Sequence, residues 1–267
     1  MQNYSRSQRS PLKSASKPFS KRPNANSSGS SKAFWLYGLH SVQAALLNPI
    51  RQKSRIVLTS EAHNALMARL EGALTLKPEI VEREVLDKLC GRDAVHQGIA
   101  LQVMPLPNSD IDHLLKRKGP VLMLDQVTDS RNVGAILRSA VAFGAAGVVM
   151  QERHSPEESG VLAKAASGAL DNIPILRAVN LSRTLQQLKD AGLWAVGLDA
   201  HSNLLNGADF SDRRVVLVLG AEGSGIRQLT KKNCDEIASL RMVGDIDSLN
   251  VSVAGAIALY EITRHYF

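Results

Sequence analysis

Cysteine is scarce. Cys90 and Cys234 are the only two in 267 residues, too few for a disulfide framework, and with no CxxC or HExxH pattern the ligand spacing of a zinc site is missing. A metal-free protein of a reducing, cytoplasmic compartment is expected. Long apolar runs are absent as well. The longest largely apolar stretch, Val251 to Tyr260, falls short of the roughly 20 residues that cross a bilayer, so no membrane-spanning helix is expected. Neither GxGxxG nor GxxxxGK[ST] occurs, which argues against a nicotinamide enzyme and a P-loop NTPase.

Acidic residues are missing from positions 1–33. That stretch holds Arg6, Arg9, Lys13, Lys17, Lys21, Arg22 and Lys32, and so carries the whole formal net charge of +7. Its ten serines and three prolines leave too little apolar surface to offset the entropy of ordering. A disordered basic arm on an electrically neutral body is expected, a pattern that suits a polyanion such as RNA. A solvated tail has the same composition. So does a mitochondrial presequence, but Leu12 and Phe19 are too sparse for an amphipathic stripe.

The rest of the chain divides by pattern. Short elements alternate over 34–104: helices near Ser41–Leu47, Glu61–Gly72 and Glu82–Leu89, and strands near Arg55–Thr59 and Ile99–Val103. Two prolines in "MPLPNSD" mark 105–119 as a linker. From Pro120 onward the alternation implies parallel strands with crossover helices. Strands are expected at Val121–Leu124, Gly147–Met150, Ile173–Leu176, Trp194–Leu198, Val215–Leu219 and Ile237–Leu240, with a last helix from Val251 to about Tyr266.

Parallel sheets bind ligands beyond the carboxyl ends of their strands, and three loops there carry polar residues. In "LDQVTDSRNVGAILRSAVAFG", Asn132 sits at a plausible helix N-cap, and Val133, Ile136, Leu137, Ala140 and Val141 form one stripe. Arg138, about 140° around from Val133, points away from it. A solvated arginine and a capping asparagine would look the same. In "VVLVLGAEGSGI", Gly220, Gly223 and Gly225 allow close backbone approach. Glu222 among them would repel a phosphate and fits a cationic ligand or arginine partner, or a tight turn with an exposed acid. In "DIDSLNVSVAGAIALYE", Ser248 and Asn250 precede an apolar helix, and capping explains only one of them.

The order and spacing of Asn132-x5-Arg138, "GAEGSGI" and "SLNVSVAGA", with "KAASGAL" (Lys164–Leu170) between, resemble the three motifs of the SpoU/TrmH family of RNA ribose 2′-O-methyltransferases, part of the SPOUT superfamily. The resemblance covers 120–267. Residues 34–104, with "YGLHSVQAAL" and "HQGIAL" (His96–Leu101), look like the L30e-type RNA-binding domain of the subgroup that methylates a guanosine of large-subunit ribosomal RNA. The resemblance implies an α/β fold with a trefoil-knotted catalytic domain, S-adenosylmethionine in the knot, and a homodimer with active sites near the interface. It also implies roles. Arg138 would activate the hydroxyl and Asn132 orient it or the substrate; Glu222 would pair with an arginine or polar group, and Ser248 and Asn250 would hold the nucleotide and third loop. Backbone groups of Gly220, Leu240 and Leu249 would grip the cofactor. A transfer-RNA methyltransferase of the same family and a non-catalytic RNA-binding or ribosome-assembly factor are the alternatives.

Overall fold

Strands with apolar residues on both faces must be covered on both sides, and this chain places such strands in the middle of a parallel sheet. A computed structural model describes Met1, residues 32–72 and residues 74–266. Most of the basic arm, and the disorder expected of it, therefore lies outside the described residues.

The larger sheet has the strands β5 (Val121–Asp125), β6 (Gly147–Gln151), β7 (Ile175–Ala178), β8 (Trp194–Leu204), β9 (Val215–Gly220) and β10 (Glu236–Ser239). Their order is β10-β8-β9-β5-β6-β7, and every pairing is parallel. All of β5 and the first five residues of β9 are buried. The chain runs from β5 outward to β6 and β7, then returns to the other side of β5 for β8 to β10. This reversal leaves a crevice at the carboxyl ends of β5 and β9, where Asp125 pairs with Gly220.

A smaller sheet, in the order β1-β4-β2-β3, is built from β1 (Phe34–Tyr37), β2 (Lys53–Leu58), β3 (Pro78–Ile80) and β4 (Ile99–Val103). β4 is antiparallel to both β1 and β2. Helices α1 (Leu39–Leu47), α2 (Ser60–Arg69) and α3 (Arg83–Cys90) connect these strands. Strands β1 and β3 have four and three residues, too short for an alternating pattern to stand out in sequence.

The stretch read as a linker contains a helix, α4 (Ile111–Lys116), capped by Asp110, whose carboxylate accepts from the His113 amide. Its Leu114 is fully buried and lies against Gly147, where an added Cβ would come within 2.7 Å of it. The other crossover helices are α5 (Ser130–Ala142), α6 (Gly160–Ala166), α7 (Leu181–Asp190) and α8 (Gln228–Asn233), and α9 (Val251–Thr263) closes the chain. β8 runs six residues beyond the expected Leu198, because β10 slips register between Ile237 and Ala238 and pairs its second half with Asn203 and Leu204. β7 starts after Pro174, which has no N–H for a ladder.

The two sheets are joined by buried polar chemistry as well as a shared apolar cluster. Arg51 is fully buried. Its Nε and Nη2 donate to the two carboxylate oxygens of Asp171 at 2.8 and 3.1 Å, and Nη1 donates to Glu158 at 2.6 Å and to the Met104 carbonyl at 3.0 Å. Burial pushes the Glu158 carboxyl above the usual carboxylate range despite the guanidinium beside it. Such a pair is specific in geometry, and losing one partner is costly because the other charge stays buried.

Candidate active site

The cap of helix α5 lies three residues before the position read as such. Asp129 is the N-cap, its Oδ1 accepting from the Arg131 and Asn132 amides at 2.7 and 3.0 Å. An acid at that position also complements the helix dipole. Asn132 therefore stands inside the first turn, and its side chain is released from capping. Val133, Ile136, Leu137 and Ala140 form the buried stripe of α5, but Val141 does not belong to it: it is 38% exposed.

The Asn132 amide turns toward the other two loops. Its Nδ2 donates to Glu222 Oε1 at 3.1 Å, and its Oδ1 accepts from Asn250 Nδ2 at 2.9 Å. Asn250 Nδ2 also donates to Glu222 Oε1 at 2.6 Å. The cap of α9 fixes the Asn250 amide, since its Oδ1 accepts from the Ser252 and Val253 amides and the Ser252 hydroxyl. Residues from three loops thus close a ring of hydrogen bonds at the crevice where the strand order reverses. Glu222 Oε2 has no protein partner among the described residues.

The loop that carries Glu222 is tightly folded. Ala221 and Gly225 exchange two backbone hydrogen bonds, with Gly223 and Gly225 at φ +82° and +65°. A Cβ on Gly220 would lie 2.2 Å from the Gly225 carbonyl carbon, so only glycine fits there. Behind the loop, fully buried Asp125 accepts from Arg227 Nε at 2.6 Å and from the Arg227 amide at 3.1 Å. Sequence reasoning passed over this pair. The available signal was an acid ending an apolar strand, a position at which an unpaired carboxylate would be costly.

The remaining expected residues take no part in the ring's hydrogen bonds. Arg138 is exposed, six residues along α5 from Asn132 and so about 9 Å farther along its axis. It makes no hydrogen bond or ion pair among the described residues. Ser248 is exposed, and Leu240 and Leu249 are half-buried. Between Leu240 and Leu249 no backbone–backbone hydrogen bond forms among the described residues, leaving a run of amides and carbonyls available to other partners.

The profile of the SpoU rRNA Methylase family fits residues 119–260, and that of the RNA 2′-O ribose methyltransferase substrate binding domain fits residues 35–109. The chain belongs to the SpoU rRNA methylase family. It is 37% identical over 244 residues to the 23S rRNA (guanosine-2′-O-)-methyltransferase RlmB of Haemophilus ducreyi, a match covering 86% of this chain and 96% of that one. It is 42% identical over 217 residues to a protein of Mycolicibacterium paratuberculosis described as an uncharacterized tRNA/rRNA methyltransferase, covering 78% and 70% of the two chains. In fold it is similar to the SpoU methyltransferase AviRb of Streptomyces viridochromogenes in complex with AdoMet, with a TM-score of 0.70, 22% identity, and 87% and 89% of the two chains covered. An AdoMet-bound rRNA methyltransferase of Sinorhizobium meliloti superposes with a TM-score of 0.70 at 24% identity, covering 88% of each chain. This SpoU-family chain is a methyltransferase, and its polar ring lies inside the methylase segment.

Proposed function

We propose that the protein transfers a methyl group from S-adenosylmethionine to a ribose 2′-hydroxyl of structured RNA, a guanosine of large-subunit ribosomal RNA being the preferred target. The observation that carries this reading is the Asn132–Glu222–Asn250 ring at the switch point of a SpoU-family sheet. The ribosomal target is favoured by RlmB relatives that match the small sheet as well as the large one.

The residues present suit the cofactor. The close backbone approach that Gly220 permits is to Gly225 of its own loop, and the uncommitted backbone of Leu240–Leu249 offers donors and acceptors in one run. Gly220, Leu240 and Leu249 would hold it through main-chain groups. When bound, it supplies a methyl group already activated on a sulfonium. The chain's task is then to align a sugar hydroxyl and exclude water.

In that task the two asparagines and Glu222 form a rigid frame that positions the nucleotide, leaving Glu222 Oε2 to accept from the substrate or an incoming guanidinium. Ser248 contacts the nucleotide from the third loop. Arg138, whose guanidinium offers donors and no acceptor, acts on the hydroxyl by hydrogen bonding and by stabilising negative charge on the oxygen.

Placement of Arg138 makes a homodimer part of the proposal. Val141, three residues on and on the same face of α5, is exposed, as are Val253, Ile257 and Tyr260 of the adjacent α9. This apolar patch suits a second copy, with Arg138 at the seam near both active sites. The trefoil knot is proposed on similar grounds. Helix α9 is wedged between β9 and the turn at Gly207, where a Cβ would lie 1.9 Å from the Glu261 carbonyl oxygen. The small sheet is the proposed L30e-like RNA-binding domain, and the setting is cytoplasmic. Among the described residues no helix is long and apolar enough to cross a membrane.

Incubating the protein with methyl-labelled S-adenosylmethionine and undermethylated ribosomal or transfer RNA tests the reading. Label is expected in a ribose of 23S ribosomal RNA. Label in transfer RNA alone would refute the ribosomal target, and none in either would refute methyl transfer.

A further inference from the structure

Three stretches outside the polar ring meet at one ammonium group. Gly38 of "YGLH" has φ +88°, and a Cβ there would come within 2.8 Å of Lys164 Cδ and Nζ. Its glycine leaves room for the lysine. Lys164 of "KAASGAL" donates through Nζ to Gln97 Oε1 at 2.6 Å, and the same oxygen accepts from the Leu39 amide at 3.3 Å. Gln97 of "HQGIAL" is held in a left-handed turn, φ +57°, followed by Gly98 at +74°. The turn is pinned by buried His96, whose Nδ1 accepts from the Gly98 amide while Nε2 bonds Asp87. A strained turn built to present a neutral amide to a lysine is an investment that packing alone does not require.

That lysine borders a cleft of about 470 Å³ between the small sheet and the methylase half. Arg92 enters it from one side and Arg131 from the other. Neither guanidinium has a hydrogen bond or ion pair among the described residues, and Lys164 has only the amide of Gln97. Asp93 is the one acid on the lining. Burial without a carboxylate neighbour holds the Lys164 ammonium below its ordinary range. The wall between the cations is apolar, with Val95 and Val161 exposed at 66% and 43% beside the Tyr37 ring. Unpaired cations around an apolar wall match a nucleotide, with phosphate for the cations and a base for the wall. Arg131 immediately precedes Asn132, so the cleft and the polar ring draw on the same first turn of α5.

We propose that this cleft seats an RNA nucleotide flanking the one to be methylated, with Lys164, Arg131 and Arg92 each neutralising one of the successive phosphodiesters of that strand. The proposal rests on the RNA methyltransferase reading and names residues that would carry substrate affinity in it. Lys164 couples the two sides of the cleft, because the Gln97 turn of the small sheet orients an ammonium of the methylase half.

The test is binding of the full-length protein to unmodified 23S ribosomal RNA transcribed in vitro, measured over a range of salt concentrations. Arg131→Gln and Lys164→Gln should each flatten the slope of log affinity against log salt by about 0.7, the share of one single-strand phosphate contact. The Arg92/Arg131/Lys164 triple variant should flatten it by about 2. Lys164→Arg should keep the wild-type slope. Cofactor affinity by calorimetry and melting temperature identify folded variants; should the triple variant not fold, Arg92→Gln at an exposed position supplies the single-contact slope. Unchanged slopes in folded variants would overturn the cleft. Absence of methyl transfer by the wild type would instead overturn the enzymatic reading, while the slopes still decide whether RNA occupies the cleft.

Discussion

Replacing Arg51 with leucine removes a guanidinium with no solvent exposure and strands Glu158 and Asp171, whose side chains are only 8% and 1% exposed. Four donor contacts disappear with it, two to Asp171, one to Glu158 and one to the Met104 carbonyl. Breaking a buried ion pair from one side costs about 3–5 kcal/mol. At about 2–4 °C per kcal/mol for a chain of this size, the melting temperature should fall by about 6–20 °C. The loss should depend on pH. Glu158 is already raised by burial, and without Arg51 its folded-state value rises further above that of the unfolded chain. A carboxyl raised on folding binds its proton more tightly in the folded state, so the variant is most stable at acid pH and loses stability as pH rises above the ordinary carboxylate range. The gap to wild type should therefore be small near pH 4 and widest at neutrality. Calorimetric melting of both proteins across that range measures it, and adding Glu158→Gln and Asp171→Asn to the variant should recover part of the loss at pH 7. A deficit of the same size at every pH would show that the two carboxylates are not stranded and that the sheets are held by apolar packing alone.

Arg138→Ala should abolish methyl transfer while leaving affinity for S-adenosylmethionine within a few-fold, as the side chain makes no hydrogen bond or ion pair among the described residues; near-normal turnover would remove Arg138 from the mechanism. Asn250→Ala should cost both a helix cap, about 1 kcal/mol, and activity, whereas Asn132→Ala should cost activity with little change in melting temperature, because Asp129 supplies the α5 cap. Melting curves and single-turnover rates on the two variants separate these outcomes, and equal destabilisation would return Asn132 to a capping role. Gly220→Ala drives a methyl group into the Gly225 backbone and should weaken cofactor binding by calorimetry more than it lowers the melting temperature. An unchanged cofactor affinity would place the cofactor elsewhere.

Much of this architecture is legible in the sequence. Short, valine-rich apolar runs such as Val215–Leu219 read as central strands, and polar or glycine-rich stretches immediately after them mark the ligand-binding edge. These signals are local, written in a few consecutive residues. The helix in the stretch read as a linker was not legible, because at six residues it is too short for its periodicity to outweigh two nearby prolines. The cap of α5 was misplaced for a related reason. Asp129 and Asn132 are both good caps by composition, and only the course of the backbone selects one.

Sequence alone determined a parallel α/β chain with a basic arm, no metal-ligand spacing and three polar loops at the strand ends. The tertiary structure decided what those loops do for one another. Asn132, Glu222 and Asn250 are separated by up to 118 residues, yet one carboxylate oxygen accepts from both amides, a contact that exists only once β5 and β9 lie side by side. Arg51 became a buried link, and Lys164 a cation facing a cleft, by the same cause. A charged side chain's environment is set by what folds around it, and nothing in its immediate neighbours along the chain records that.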